Sequence, residues 1–138
     1  MKIYRLVSII LMFLFAVTGL LFLFIPDQVL TLFNNFSTPL GMPESPETGL
    51  NFYLILAVGY MYLVTVLAFL MYRHPENKYL PQLLAHAKIA SSLLSLALFL
   101  SHAHYLIYLV NFVIDGVIGA VVIMLYIRIR RLTQWAFY

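Results

Sequence analysis

Four long apolar runs, parted by short polar interruptions, organise this chain. A helix needs roughly 20 consecutive apolar residues to cross the hydrocarbon core of a bilayer. Residues 3–25 meet that length and stop at Pro26-Asp27, where proline ends the run. Residues 50–72 form a second run, closed by Arg73-His74-Pro75. Residues 80–101 form a third, the least apolar, and residues 104–127 a fourth that ends in Arg128, Arg130 and Arg131. The pattern predicts an all-α membrane protein, one domain spanning 1–138, with four transmembrane helices in an antiparallel up-down bundle.

The connection over residues 26–49 is the only long one. Val29, Leu30, Leu32, Phe33 and Phe36 recur there at roughly helical spacing behind Asp27, a residue type suited to an N-cap. This predicts a short interfacial helix on the outer membrane surface. From Pro39 to Gly49 the prolines and glycines predict an irregular loop.

Composition agrees with lipid as the solvent. Hydrophobic residues make up 64% of the chain and charged ones 9%, whereas soluble domains average about 45–50% and about 25%. At 138 residues the chain suffices for one domain, and a soluble fold of that size has too little interior to hide so much apolar surface. Lys2 and Arg5 ahead of the first run resemble the start of a secretory signal. That run is longer than the ~7–15 residues of a signal's apolar region and no Ala-x-Ala-like site follows, so it reads as a retained first helix.

The charges orient the bundle. Lys2, Arg5, Arg73, Lys78, Arg128, Arg130 and Arg131 fall on the side of the termini and the 73–79 loop. The other side carries Asp27, Glu44 and Glu47 and no Lys or Arg. Basic residues stay on the cytoplasmic side, so both termini are expected in the cytoplasm, with the chain multi-pass in the cytoplasmic (inner) membrane. The net charge of +3 therefore reports topology, and no nucleic-acid partner is expected. Tyr4, Tyr72, Tyr79, Tyr126 and Trp135 are expected near the inner interface, with Phe52, Tyr53 and Tyr105 near the outer one.

Polar residues within apolar runs carry the most information, because such groups cost free energy at membrane depth unless paired. Lys88, Ser91, Ser92 and Ser95 share one face of the third helix, and Tyr108, Asn111, Asp115 and Gly119 share one face of the fourth. Folding the chain about residue 103 sets Ser95 level with Asn111 and Ser91 level with Asp115. Lys88 then lies about one turn, roughly 4–5 Å, toward the cytoplasm from Asp115. Gly116, Gly119 and the serines allow close backbone approach. One reading is a ligand or relay site made of Lys88, Ser91, Ser92, Ser95, Asn111 and Asp115. The other is a polar clasp that fixes helix register, with Asp115 satisfied by the serine hydroxyls or by Lys88, which could instead snorkel to the inner surface. On either reading Asp115→Asn is expected to be more damaging than Lys88→Met.

Other chemistry finds little support. His86 lies toward the inner side and His102 and His104 at the outer turn, too far apart to ligate one haem iron, and His102-x-His104 lacks a third ligand for a metal. With no cysteine, disulfides, thiolate metal sites and a cysteine nucleophile are excluded. There is no Gly-rich phosphate loop, His-Glu-x-x-His or Gly-x-Ser-x-Gly motif. Glu44 and Glu47 read as a solvated charge cluster. No enzyme, metal or cofactor is expected.

In the tail, residues 128–138, Arg128, Arg130, Arg131 and Trp135, with Phe137 and Tyr138, suit docking onto lipid headgroups or onto a partner subunit. The leading expectation is a non-enzymatic accessory or structural subunit of a larger membrane protein complex. The partners expected are membrane lipids and either other membrane subunits or further copies of the chain. The alternative is a small transporter or a lipid- or quinone-binding protein that uses the Lys88/Asp115 seam, as a homo-oligomer.

Overall fold

The computed structural model describes residues 2–46 and 51–135, of which residues 51–52 and 129–135 are described by their backbone alone. The described chain is all-helical. Helix α1 (Lys2–Phe24) is followed by α2 (Pro26–Ser37), a 3-10 turn (Thr38–Leu40), α3 (Asn51–Arg73), α4 (Tyr79–Ser101) and α5 (Leu106–Trp135). The four apolar runs have become the four long helices α1, α3, α4 and α5, each long and apolar enough to cross a membrane.

The helices pack chiefly as two close pairs, α1 with α3 and α4 with α5, joined through α3 and α4. In α1 the buried residues Tyr4, Ser8, Leu11, Phe15 and Gly19 form one stripe at helical spacing. Gly19 lets α1 approach α3, since a Cβ there would stand 3.0 Å from Met61 Cβ. Gly119 does the same between α5 and α4, where a Cβ would lie 3.0 Å from Ile89 Cγ1. Phe15, Val64, Ala68, Met71, Leu84 and Val122 sit in one buried cluster drawn from all four long helices. Most of the remaining apolar surface points outward, as lipid would require. Helix α4 is the least hydropathic of the four and also the most buried, because its polar residues face its neighbours.

Contacts between α4 and α5 fix an antiparallel register: Lys88 meets Asp115, Ser92 meets Phe112 and Ser95 meets Asn111. This is close to the register obtained by folding the sequence about residue 103.

Three boundaries differ from the sequence reading. Helix α2 opens at Pro26, whose fixed φ and missing N–H suit the first helical turn, and Ile25 stands at the N-cap without a side-chain cap. Asp27 is therefore inside the first turn, where its charge favours the helix dipole, and does not cap it. Helix α5 starts at Leu106 instead of residue 104 and continues to Trp135. Its 30 residues extend about 45 Å, well beyond a ~30 Å hydrocarbon core. The apolar run gives way to arginines after residue 127, and the helix continues through them. After the 3-10 turn, residues 42–46 carry no regular secondary structure, as the irregular-loop reading expects, and residues 47–49 lie outside the described residues. Gly41 closes the 3-10 turn at φ 65°, and Asn34 pins Ser45, donating from Nδ2 to Ser45 O (3.0 Å) and accepting at Oδ1 from Ser45 N (2.8 Å) and Oγ (2.9 Å).

Candidate functional site

The site is built where the four long helices meet. Lys88, midway along α4, donates from Nζ to Asp115 Oδ1 of α5 at 2.9 Å, with side-chain exposures of 1% and 4%. The snorkelling alternative for Lys88 is thereby set aside, because its ammonium is enclosed. Two further helices complete the enclosure. The ring centroid of Phe15, from α1, lies 4.5 Å from Lys88 Nζ, and that of Tyr60, from α3, lies 5.0 Å away. Aromatic faces carry the negative lobe of the ring quadrupole, worth up to ~2 kcal/mol to a desolvated cation. Lys88 is thus held by one carboxylate and two rings, each from a different helix.

Asp115 is less well served. Its Oδ2 is buried and has no hydrogen-bond partner among the described residues. None of the three seam serines has a hydrogen bond to it among the described residues. Ser92 donates instead to the backbone carbonyl of Phe112 at 2.8 Å. Asn111 Nδ2 donates to both Ser95 Oγ (2.6 Å) and Ser91 Oγ (3.2 Å). The six seam residues are therefore brought together, but as two adjacent clusters. Lys88 and Asp115 form one, while Asn111 with Ser91 and Ser95 forms the other, and Ser92 ties the helices between them. Tyr108 shares the expected face of α5 without joining the seam, and its ring packs against Tyr105 at 5.6 Å.

Tyr60 links the clusters. Its hydroxyl donates to the Ala87 carbonyl at 3.0 Å, bracing α3 against α4 beside both clusters. Sequence reasoning missed Phe15 and Tyr60. Tyr60 left a signal, since a tyrosine well inside an apolar run departs from the interfacial preference of that side chain. Phe15 left none among so many apolar neighbours.

Beside the seam, a groove of about 360 Å³ opens between α3 and α4, walled by Ala87, Ala90, Leu94 and Leu98 and bounded by Tyr60, Ser91 and Ser95. Toward the Arg73 end of the bundle, Gln82 Nε2 donates to Tyr126 Oη at 2.9 Å, a second polar tie between α4 and α5.

The histidines lie apart from the seam. His86 is exposed on α4 and its Nδ1 stands 2.7 Å from Gln82 O. His102 Nδ1 meets Ser101 Oγ at 2.8 Å, and the His104 ring meets Phe99 edge-on at 5.0 Å. Among the described residues no group of three or more His, Asp or Glu side chains could hold a metal ion. Of the tail residues, Arg128 is exposed at the surface of α5. Glu47, Phe137 and Tyr138, and the side chains of Phe52, Arg130, Arg131 and Trp135, lie outside the described residues.

These features define a class: an all-helical chain with four helices fit to cross a membrane and an ion pair enclosed where they meet. Comparison with protein-family models, curated proteins and solved structures finds no match for it.

Proposed function

We propose that this chain is a multi-pass protein of the cytoplasmic (inner) membrane that serves as a non-enzymatic accessory subunit of a larger membrane complex. On this reading α1, α3, α4 and α5 cross the bilayer up and down, with both termini cytoplasmic and α2 in the outer interface. Basic residues at one end and acidic loop residues at the other support the orientation. Leu32 and Phe36 of α2, with Leu40 of the 3-10 turn, support the placement of α2, because these apolar side chains are exposed while Leu30, Asn34 and Ser37 are buried.

The observation that carries the reading is the inward closure of the seam. Lys88, Asp115, Asn111 and the serines bind one another across helices, which suits a scaffold of fixed register. The outer surface is left to large apolar side chains such as Phe13, Leu20, Tyr62 and Leu94, suited to lipid or to partner helices. Native mass spectrometry of the protein extracted from its own membranes tests this. A complex holding other membrane polypeptides at fixed stoichiometry is expected. A lone chain or a homo-oligomer contradicts it and favours the transporter or ligand-binding alternative, whose binding half is supported by the groove between α3 and α4.

A further inference from the structure

We propose that the chain pairs with a second copy of itself through the outward faces of α3 and α4, each Tyr62 hydroxyl bonding to the His86 imidazole of the second copy. This rests on α3 and α4 crossing the membrane. It goes beyond the accessory reading, under which the pair enters the larger complex as a unit.

Tyr62 is the middle residue of α3 (Asn51–Arg73), about 16 Å from either end. Its side chain is 72% exposed, and its hydroxyl has no partner among the described residues. A phenol reaches neither membrane surface from there. The hydroxyl therefore stands in hydrocarbon, where an unmatched donor is costly. Other hydroxyls well inside the spans avoid this: Thr18 and Thr65 donate to the carbonyl one turn back, and Tyr60 donates to Ala87 O.

His86 carries the matching acceptor. Its Nδ1 stands 2.7 Å from Gln82 O, and a carbonyl only accepts, so the proton of the neutral ring is on Nδ1. Nε2 keeps its lone pair and has no partner among the described residues. The residue is exposed and lies about 10 Å along α4 from Tyr79, so this acceptor also faces hydrocarbon.

Depth and symmetry bring the two groups together. Tyr60, two residues before Tyr62, bonds to Ala87, the residue after His86. Tyr62 and His86 thus lie within about one turn, ~5 Å, of the same depth. They stand on outward faces of different helices and do not bond within one chain. A two-fold axis along the membrane normal preserves depth and sets α3 of each copy against α4 of the other, so the contact is made twice. Exposed Ile55 and Phe69 beside Tyr62, and Leu83 and Leu93 beside His86, supply apolar packing around each bond. A lipid tail offers neither acceptor nor donor, whereas a second copy supplies both.

The test co-expresses two tagged forms of this cysteine-free chain, one Tyr62→Cys and one His86→Cys, and treats their membranes with a short membrane-permeant bismaleimide. The second Tyr62–His86 contact of such a pair is untouched. Linkage between the unlike forms is expected, and none when Val117→Cys, exposed on α5 close to Asp115, replaces either form. Dimerisation of the full chain in liposomes, read by energy transfer between labelled copies, should weaken about tenfold in Tyr62→Phe and in His86→Phe, and no further in the double variant. Tyr62→Phe removes one oxygen from an exposed position, so the fold itself is not at stake. Linkage no greater than that of the Val117 control, or undiminished energy transfer in Tyr62→Phe, overturns the pairing. Pairs that hold no other polypeptide support this contact and contradict the accessory reading. A complex that holds other polypeptides but a single copy of this chain does the reverse. Labelling of Tyr62→Cys by an impermeant maleimide in intact vesicles contradicts the spanning reading, and the pairing with it.

Discussion

Lys88 Nζ stands 2.9 Å from Asp115 Oδ1, and both side chains are shut away from the surface of the bundle. Taking two charges out of water carries a penalty of several kcal/mol each, and their attraction offsets it only with good geometry and further partners. Here Phe15 and Tyr60 complete the surroundings of the lysine, while Asp115 Oδ2 has no partner among the described residues. The pair is thus better at specifying which helices meet, and in what register, than at adding net stability.

Burial of Lys88 revises the expected order of two substitutions. Asp115→Asn keeps a carbonyl oxygen that Lys88 can reach, and the two rings still face the ammonium. Lys88→Met leaves the carboxylate with no donor. Lys88→Met should therefore be at least as damaging as Asp115→Asn, each at about 3–5 kcal/mol. Thermal unfolding of the purified variants in detergent checks the order; a well-tolerated Lys88→Met would contradict it.

Gly119 should tolerate no bulky replacement. A Cβ there already reaches 3.0 Å from Ile89 Cγ1 and 3.7 Å from Lys88 Cβ, so Gly119→Leu would force α4 and α5 apart just where Lys88 and Asp115 meet. A loss of roughly 1–3 kcal/mol or more is expected from overpacking alone. Gly59 is the control, because a Cβ there meets nothing within 4 Å, and Gly59→Leu should leave the melting temperature nearly unchanged.

Tyr60→Phe isolates one contact. It removes the hydroxyl bonded to Ala87 O while retaining the ring that faces Lys88. A cost of about 0.5–1.5 kcal/mol is expected, the usual worth of one such bond. Tyr60→Ala should cost clearly more, since it also opens the box around the ammonium. Equal effects would mean that the ring contributes nothing.

Topology is open to direct measurement because the chain holds no cysteine. Single cysteines at Glu44 and at Lys78 should label with an impermeant maleimide from opposite sides of the membrane. Labelling from the same side would remove the four-span orientation.

Much of this arrangement was legible in the sequence because lipid imposes simple rules. Apolar length gave the four helices, and the short turn near residue 103 gave the α4–α5 register. Polar residues inside apolar runs pointed to Lys88, Asp115, Asn111 and the serines. What stayed hidden depended on contacts that periodicity does not encode. Phe15 and Tyr60 face Lys88 only because α1 and α3 pack against α4 at one particular rotation. Which serine met which partner was equally undetermined: Ser91, set level with Asp115, bonds to Asn111 instead, and Ser92 bonds to the Phe112 carbonyl. The start of α2 at Pro26 was available from the preference of proline for the first turn, but Asp27 offered a competing cap.

A double-substitution cycle on Lys88 and Asp115, read as thermal stability in detergent, bears most directly on the clasp. Lys88→Met and Asp115→Leu should each destabilise strongly, and the double variant should recover most of the loss, because apolar side chains replace both charges together. Recovery to within about 1 kcal/mol of the parent is the expected result. Strictly additive losses would show that the two side chains do not hold each other, and the clasp would be contradicted.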